Sequence, residues 1–157
     1  MRDALPDADR RPLVVGLGNE LRGDDAVGLE VARRVRERSP ALHVETEEEP
    51  LRLLDLWAGA GTVVVVDAAL GTGPPGTVSV FDASRESLPT PFFAVSTHHV
   101  SLGEAIELAR ALGSLPPDVV VVAIEGSAFV VGTPLSPPVE AAVPAAAEEV
   151  LRCTSGR

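Results

Sequence analysis

Two adjacent carboxylates, Asp24 and Asp25, follow a glycine-spaced segment, a third, Asp67, closes a run of valines, and two imidazoles, His98 and His99, stand where a Ser- and Pro-bearing stretch meets a helix-period segment. Two carboxylate oxygens and one imidazole nitrogen make a donor set suited to a divalent transition ion such as nickel or zinc. Three such ligands leave coordination positions open. The single cysteine, Cys153, excludes a thiolate metal cluster and an intrachain disulfide. Each candidate also has a purely structural reading. A strand-terminal Asp can cap a loop, an Asp after a glycine loop can complement a helix N-terminus, and a histidine can be a satisfied core residue.

These residues come from separated parts of the chain, so the elements between them must bring them together. Leu13–Leu17 reads as a short apolar strand, and Asp25–Arg38 as a helix with Val27, Val31, Val35, Leu29 and Ala32 on its apolar side. A short strand at His43–Glu45, an acidic loop Glu45–Pro50 and a helix Leu51–Trp57 follow. Thr62–Asp67 and Asp118–Ile124 lack alternation, as befits parallel strands covered on both faces, whereas Thr77–Phe81 has the period-two character of an edge strand. Leu102–Leu112 is helix-periodic with Ser96 or Thr97 as its cap, Val139–Leu151 forms a last Ala-rich helix, and Cys153–Arg157 reads as a frayed tail. The alternation of strands and helices predicts an α/β three-layer α/β/α sandwich with a twisted, mostly parallel central sheet. In open sheets of this kind, ligands lie beyond the carboxyl ends of the strands, where Asp24, Asp25 and Asp67 fall.

At 157 residues with 45% hydrophobic residues, the chain is expected to be one domain over 1–157, with its core at about 13–151. Its 13 basic residues, all arginine, against 23 acidic ones give a net charge of −10, which argues against nucleic acid as a partner. The cluster Arg33, Arg34, Arg36 and Arg38 spreads around a helix instead of forming a stripe. No apolar run reaches the roughly 20 residues of a membrane helix. Met1–Pro12 carries no hydrophobic region, so the reading is a cytoplasmic protein off the membrane, expected to be a monomer.

The glycine loop departs from a dinucleotide fingerprint, since Leu21 stands at the third glycine position and an Asp pair would face the pyrophosphate. Its opening is similar to peptidyl-tRNA hydrolases, but Glu20-Leu21-Arg22-Gly23 does not continue that pattern. No Gly-x-Ser-x-Gly elbow or His-Glu-x-x-His motif occurs, and Ser96, Thr97 and Ser101 read as cap and loop residues. The run Gly16-Leu17-Gly18-Asn19-Glu20-Leu21-Arg22-Gly23-Asp24-Asp25-Ala26-Val27-Gly28 resembles the opening signature of the hydrogenase maturation proteases. Val65-Val66-Asp67-Ala68, Gly76-Thr77-Val78, Ser96-Thr97-His98, Ile124-Glu125-Gly126 and Gly132-Thr133-Pro134-Leu135-Ser136-Pro137 follow in the family's order.

This resemblance, spanning Leu13 to Leu151, implies a cytoplasmic endopeptidase that removes a C-terminal extension from the large-subunit precursor of a nickel–iron hydrogenase after nickel insertion. It implies Asp25, Asp67 and His98 as the metal-contacting and catalytic residues, with His99 the competing assignment and the Ser-Thr-His order favouring His98. The nickel is then carried by the precursor and is not a resident cofactor. A carboxylate, Asp25 or Asp67, is the candidate general base for the hydrolytic water. Two departures stand out: Asp25 where the family can carry Glu, and Glu47-Glu48-Glu49-Pro50 where many members have a glycine-rich loop. A noncatalytic nickel-sensing chaperone of the large subunit would need the same ligands and is the alternative reading.

Overall fold

The valine-rich runs form the middle of a five-stranded sheet of order β2-β1-β3-β5-β4. A computed structural model describes residues 11–71, 73–89 and 100–156. The strands are β1 (Leu13–Leu17), β2 (His43–Glu47), β3 (Thr62–Ala69), β4 (Val78–Asp82) and β5 (Asp118–Glu125). The helices are α1 (Val27–Arg38), α2 (Leu53–Leu56), α3 (Leu102–Leu112) and α4 (Pro137–Ser155). β2, β1, β3 and β5 run parallel, and β4 closes one edge antiparallel to β5.

Register explains why the central strands do not alternate. Val14, Val64 and Val120 align across β1, β3 and β5 and pack under α1 and α4 with Val27, Val31, Val35, Ala146 and Val150. Their neighbours Val15, Val65 and Val121 face the other way, onto α2 and α3, with Leu53, Trp57, Leu102 and Ile106. A strand covered on both faces must be apolar at every position. The three-layer sandwich read from the sequence is therefore the observed fold.

Local boundaries differ from the sequence reading at several places, the predicted Leu51–Trp57 helix being a 3-10 turn, Pro50–Arg52, followed by the short α2, and α4 starting at Pro137. The first helix is preceded by a separate 3-10 turn, Gly23–Ala26, because Asp25 N–H bonds the carbonyl of Arg22 while Asp24 N–H leaves the turn for Ala128 O. β2 runs to Glu47, pairing with Leu17, so the first part of the acidic stretch is strand. α3 is capped by Ser101, whose hydroxyl accepts from Glu104 N–H at 3.2 Å, while Ser96 and Thr97 fall outside the described residues. Helix α4 continues through Cys153 to Ser155 instead of fraying, since Cys153 and Leu151 pack against the core and the hydroxyls of Thr154 and Ser155 donate to Leu151 O.

One close contact sets the depth at which α1 sits. A Cβ on Gly28 would lie 2.2 Å from Leu17 O and 2.5 Å from Val66 O, and one on Gly16 would lie 2.3 Å from Gly28 O. Only glycine at both positions lets the start of α1 rest directly on the ends of β1 and β3. The turn carrying Asp25 is thereby pressed toward the end of the strand carrying Asp67. Among the described residues, no helix is long and apolar enough to cross a membrane.

Candidate active site

Adjacent residues on a tight turn point in different directions, and here that separates the two carboxylates of the Asp pair. Asp24 turns inward and is fully buried. Its Oδ2 accepts from the N–H groups of Ser127 (2.8 Å) and Ala128 (3.0 Å) and from Ser136 Oγ (2.9 Å), and its Oδ1 accepts from Ser136 N–H (2.7 Å). Burial alone would raise its pKa, but the backbone donors of Ser127, Ser136 and Ala128 and the Ser136 hydroxyl outweigh it and hold the carboxyl below its ordinary value. Asp24 is thus a structural clamp. It ties the Asp25 turn to the loop after β5, a role that residue types and spacing did not separate from that of its neighbour.

Asp25 and Asp67 lie close enough for the charge of one to act on the other. Asp67 stands opposite Ala123 of β5, two residues before the end of β3, which runs on to Ala69 instead of stopping at the aspartate, and its Oδ1 accepts from Ala68 N–H at 2.9 Å. Burial pushes the Asp67 carboxyl well above the ordinary carboxylate range, the charge of Asp25 pushes it further, and the Ala68 N–H offsets only part of this. Burial also raises Asp25, against the opposing pull of the Arg22 guanidinium and the Asn19 N–H, while the charge of Glu48 adds to the rise. Glu48 is held at this border by a 3.1 Å hydrogen bond from Asn19 Nδ2. The acidic loop therefore bears on the electrostatics of Asp25.

Both carboxyls are raised by burial, and the charge of Asp25 adds to the rise at Asp67, so the site favours a proton on Asp67. Such a pair can exchange a proton with substrate more readily than ordinary carboxylates, and a cation placed against it would relieve the repulsion between the two charges. Among the described residues, no three His, Cys, Asp or Glu side chains cluster to hold an ion. The third member of the expected set, His98, and its competitor His99 fall outside the described residues. The helix they precede is oriented usefully. Arg110, near the C-terminus of α3, donates to Ala83 O at 2.8 Å, and Ala83 N–H bonds Val119 at the start of β5. The start of α3 therefore lies toward the carboxyl end of the sheet, and the helix packs against the Pro50–Arg52 turn.

Glu125, almost completely buried at the end of β5, was noted in the sequence only as part of Ile124-Glu125-Gly126. Its Oε2 accepts from Gly71 N–H at 2.9 Å, pinning the chain that leaves β3 just beyond Asp67. A Glu closing an otherwise apolar strand was the signal for this role.

A family model for hydrogenase maturation proteases matches residues 26–153. The chain belongs to that family. The matched span includes Asp67 and His98 and begins one residue after Asp25. The hydrogenase 2 maturation protease of Escherichia coli (strain K12) is 27% identical to this maturation protease over 147 residues, 90% of this chain and 88% of the relative. Among solved structures, the [NiFe] hydrogenase maturation protease HybD from Thermococcus kodakarensis is 26% identical with a TM-score of 0.69, over 92% of this chain and 99% of that one. The maturation protease HycI of Thermococcus kodakarensis KOD1 is 25% identical with a TM-score of 0.70, over 94% of each chain.

Proposed function

We propose that this maturation protease is a cytoplasmic endopeptidase that cuts the C-terminal extension from the large-subunit precursor of a nickel–iron hydrogenase once nickel has been inserted. The observation that carries this reading is the Asp25–Asp67 pair toward the carboxyl end of the parallel sheet, two carboxyls raised by burial, with the charge of Asp25 adding to the rise at Asp67. The nickel arrives as part of the substrate. Asp25, Asp67 and His98 contact it, and the cation offsets the repulsion within the pair, so the loaded precursor is favoured over the empty one by a difference in binding.

For hydrolysis, Asp25 or Asp67 accepts a proton from water as the water oxygen bonds to the scissile carbonyl carbon. The proton passes to the leaving nitrogen as the carbon–nitrogen bond breaks, leaving a new carboxylate and a free amine. The Asp24 clamp and the Gly16–Gly28 contact hold the turn so that Asp25 does not drift from Asp67.

The test is the mass of the large subunit after incubating nickel-loaded precursor with wild type, Asp25→Asn, Asp67→Asn and His98→Ala. Wild type should remove the extension, and each variant should slow the cut on the order of 10²-fold or more. Variants that cut at the wild-type rate would refute the residue assignments. A precursor that is bound but never shortened by wild type would favour the noncatalytic chaperone.

A further inference from the structure

The loop that carries Asp25 also carries an apolar side chain into solvent. Leu21 is 70% exposed, and on the loop after β5 Val130 and Val131 are 62% and 72% exposed. The two loops are bonded to each other: Gly132 N–H donates to Leu21 O at 2.7 Å, Gly23 N–H to Thr133 O at 3.2 Å, and Arg22 Nε to Phe129 O at 3.1 Å. The Asp24 carboxylate fixes the same pair of loops from beneath through Ser127, Ala128 and Ser136. Beside them is a half-open cavity of about 440 Å³ with a mixed wall, in which Pro134, Leu135 and Val143 stand among the charged Glu30, Arg34 and Glu140.

Three apolar side chains held out in water on firmly tied loops have the character of a protein contact surface, and the charged cavity beside them that of its polar rim. What covers it follows from its place in the chain. Leu21 lies four positions before Asp25, a span of at most about 14 Å even when extended, so a partner seated on this surface is within reach of the carboxylate pair. Resting on the proposed function, we infer that this surface docks the large-subunit precursor through apolar side chains of the precursor. They cover Leu21, Val130 and Val131, and so place the scissile segment over Asp25 and Asp67. Discrimination between precursors then lies partly in these exposed side chains and not only in the nickel contacts.

The experiment measures affinity for nickel-loaded large-subunit precursor by titration calorimetry, in an Asp67→Asn background that slows turnover, with and without Leu21→Ser, Val130→Ser and Val131→Ser together. All three are surface positions, and an unchanged melting temperature verifies the fold of the triple variant. The expected result is a dissociation constant raised tenfold or more. A constant within twofold of the parent, or no measurable binding by the parent, overturns the inference. So does a wild-type homodimer that the same substitutions dissociate, since that assigns the surface to a second copy of the chain. Cleavage by the wild-type chain is read separately, so a docking surface that survives without cleavage, or cleavage that survives without it, tells which of the two readings has failed.

Discussion

Replacing Asp24 by Asn alters almost nothing in size but removes one acceptor oxygen from a place where every neighbour donates. Oδ2 serves Ser127 N–H, Ala128 N–H and Ser136 Oγ, and Oδ1 serves Ser136 N–H. The amide of Asn keeps its oxygen on the Oδ2 side at best and then points an NH₂ at the Ser136 N–H. One buried backbone donor is orphaned, at about 1–3 kcal/mol, and the remaining bonds lose their charge assistance, another kcal/mol or so, for a total of about 2–4 kcal/mol. For a chain of this size that corresponds to a melting temperature lower by roughly 4–16 °C. The assay is thermal unfolding followed by circular dichroism at pH 7 and again in acid. The fold holds this carboxyl below its ordinary value of 3.8, so its contribution is present above that value and is lost as pH falls through the depressed one. The gap between wild type and variant should therefore close in acid. A drop under about 2 °C at pH 7, or a gap that widens in acid, would refute the clamp.

Two further outcomes follow from the same geometry. For Asp67 the sign is opposite: its pKa is raised in the fold, so the folded chain binds more protons than the unfolded one between the ordinary and raised values, and stability falls as pH rises through that window. Asp67→Asn should accordingly raise the melting temperature at neutral pH and have little effect well below pH 4; an equal effect at both would contradict the burial of that carboxyl. Gly28→Ala places a methyl 2.2 Å from Leu17 O and 2.5 Å from Val66 O, so denaturant unfolding should show a loss of about 2 kcal/mol or more, and a neutral substitution would show that α1 can lift off the sheet without cost.

Much of this architecture could be read from valines. Runs with no alternation, Val63–Val66 and Val119–Val122, have only one comfortable place, between two helical layers, and both are fully or almost fully buried on the central strands. The period-two stretch ending at Phe81 became the antiparallel edge β4. Boundaries were less legible where a tertiary contact decides them. Helix α4 outlasts its amphipathic pattern because Cys153 finds the core, and Ser101 caps α3 through the local Ser-Leu-Gly-Glu capping box, a signal that lay in the sequence but was overshadowed by Ser96 and Thr97.

At the candidate site, Asp67 after the valine run and an acid after the glycine loop could be picked out from spacing. Which of Asp24 and Asp25 faces the site could not, because the choice rests on three backbone N–H groups supplied by residues 127, 128 and 136, more than a hundred positions away. The influence of Glu48 on Asp25 was equally hidden, since it depends on Asn19 drawing the acidic loop alongside the glycine loop.

The central claim is that the Asp25–Asp67 pair, with His98, meets the nickel of the incoming precursor. The most direct measurement is the nickel K-edge absorption spectrum of loaded precursor, alone and with the maturation protease in a complex trapped before cleavage. The account predicts added oxygen and nitrogen scattering on complex formation, lost when Asp25→Asn and Asp67→Asn are combined. A spectrum unchanged by a protease that goes on to cut the precursor would contradict it.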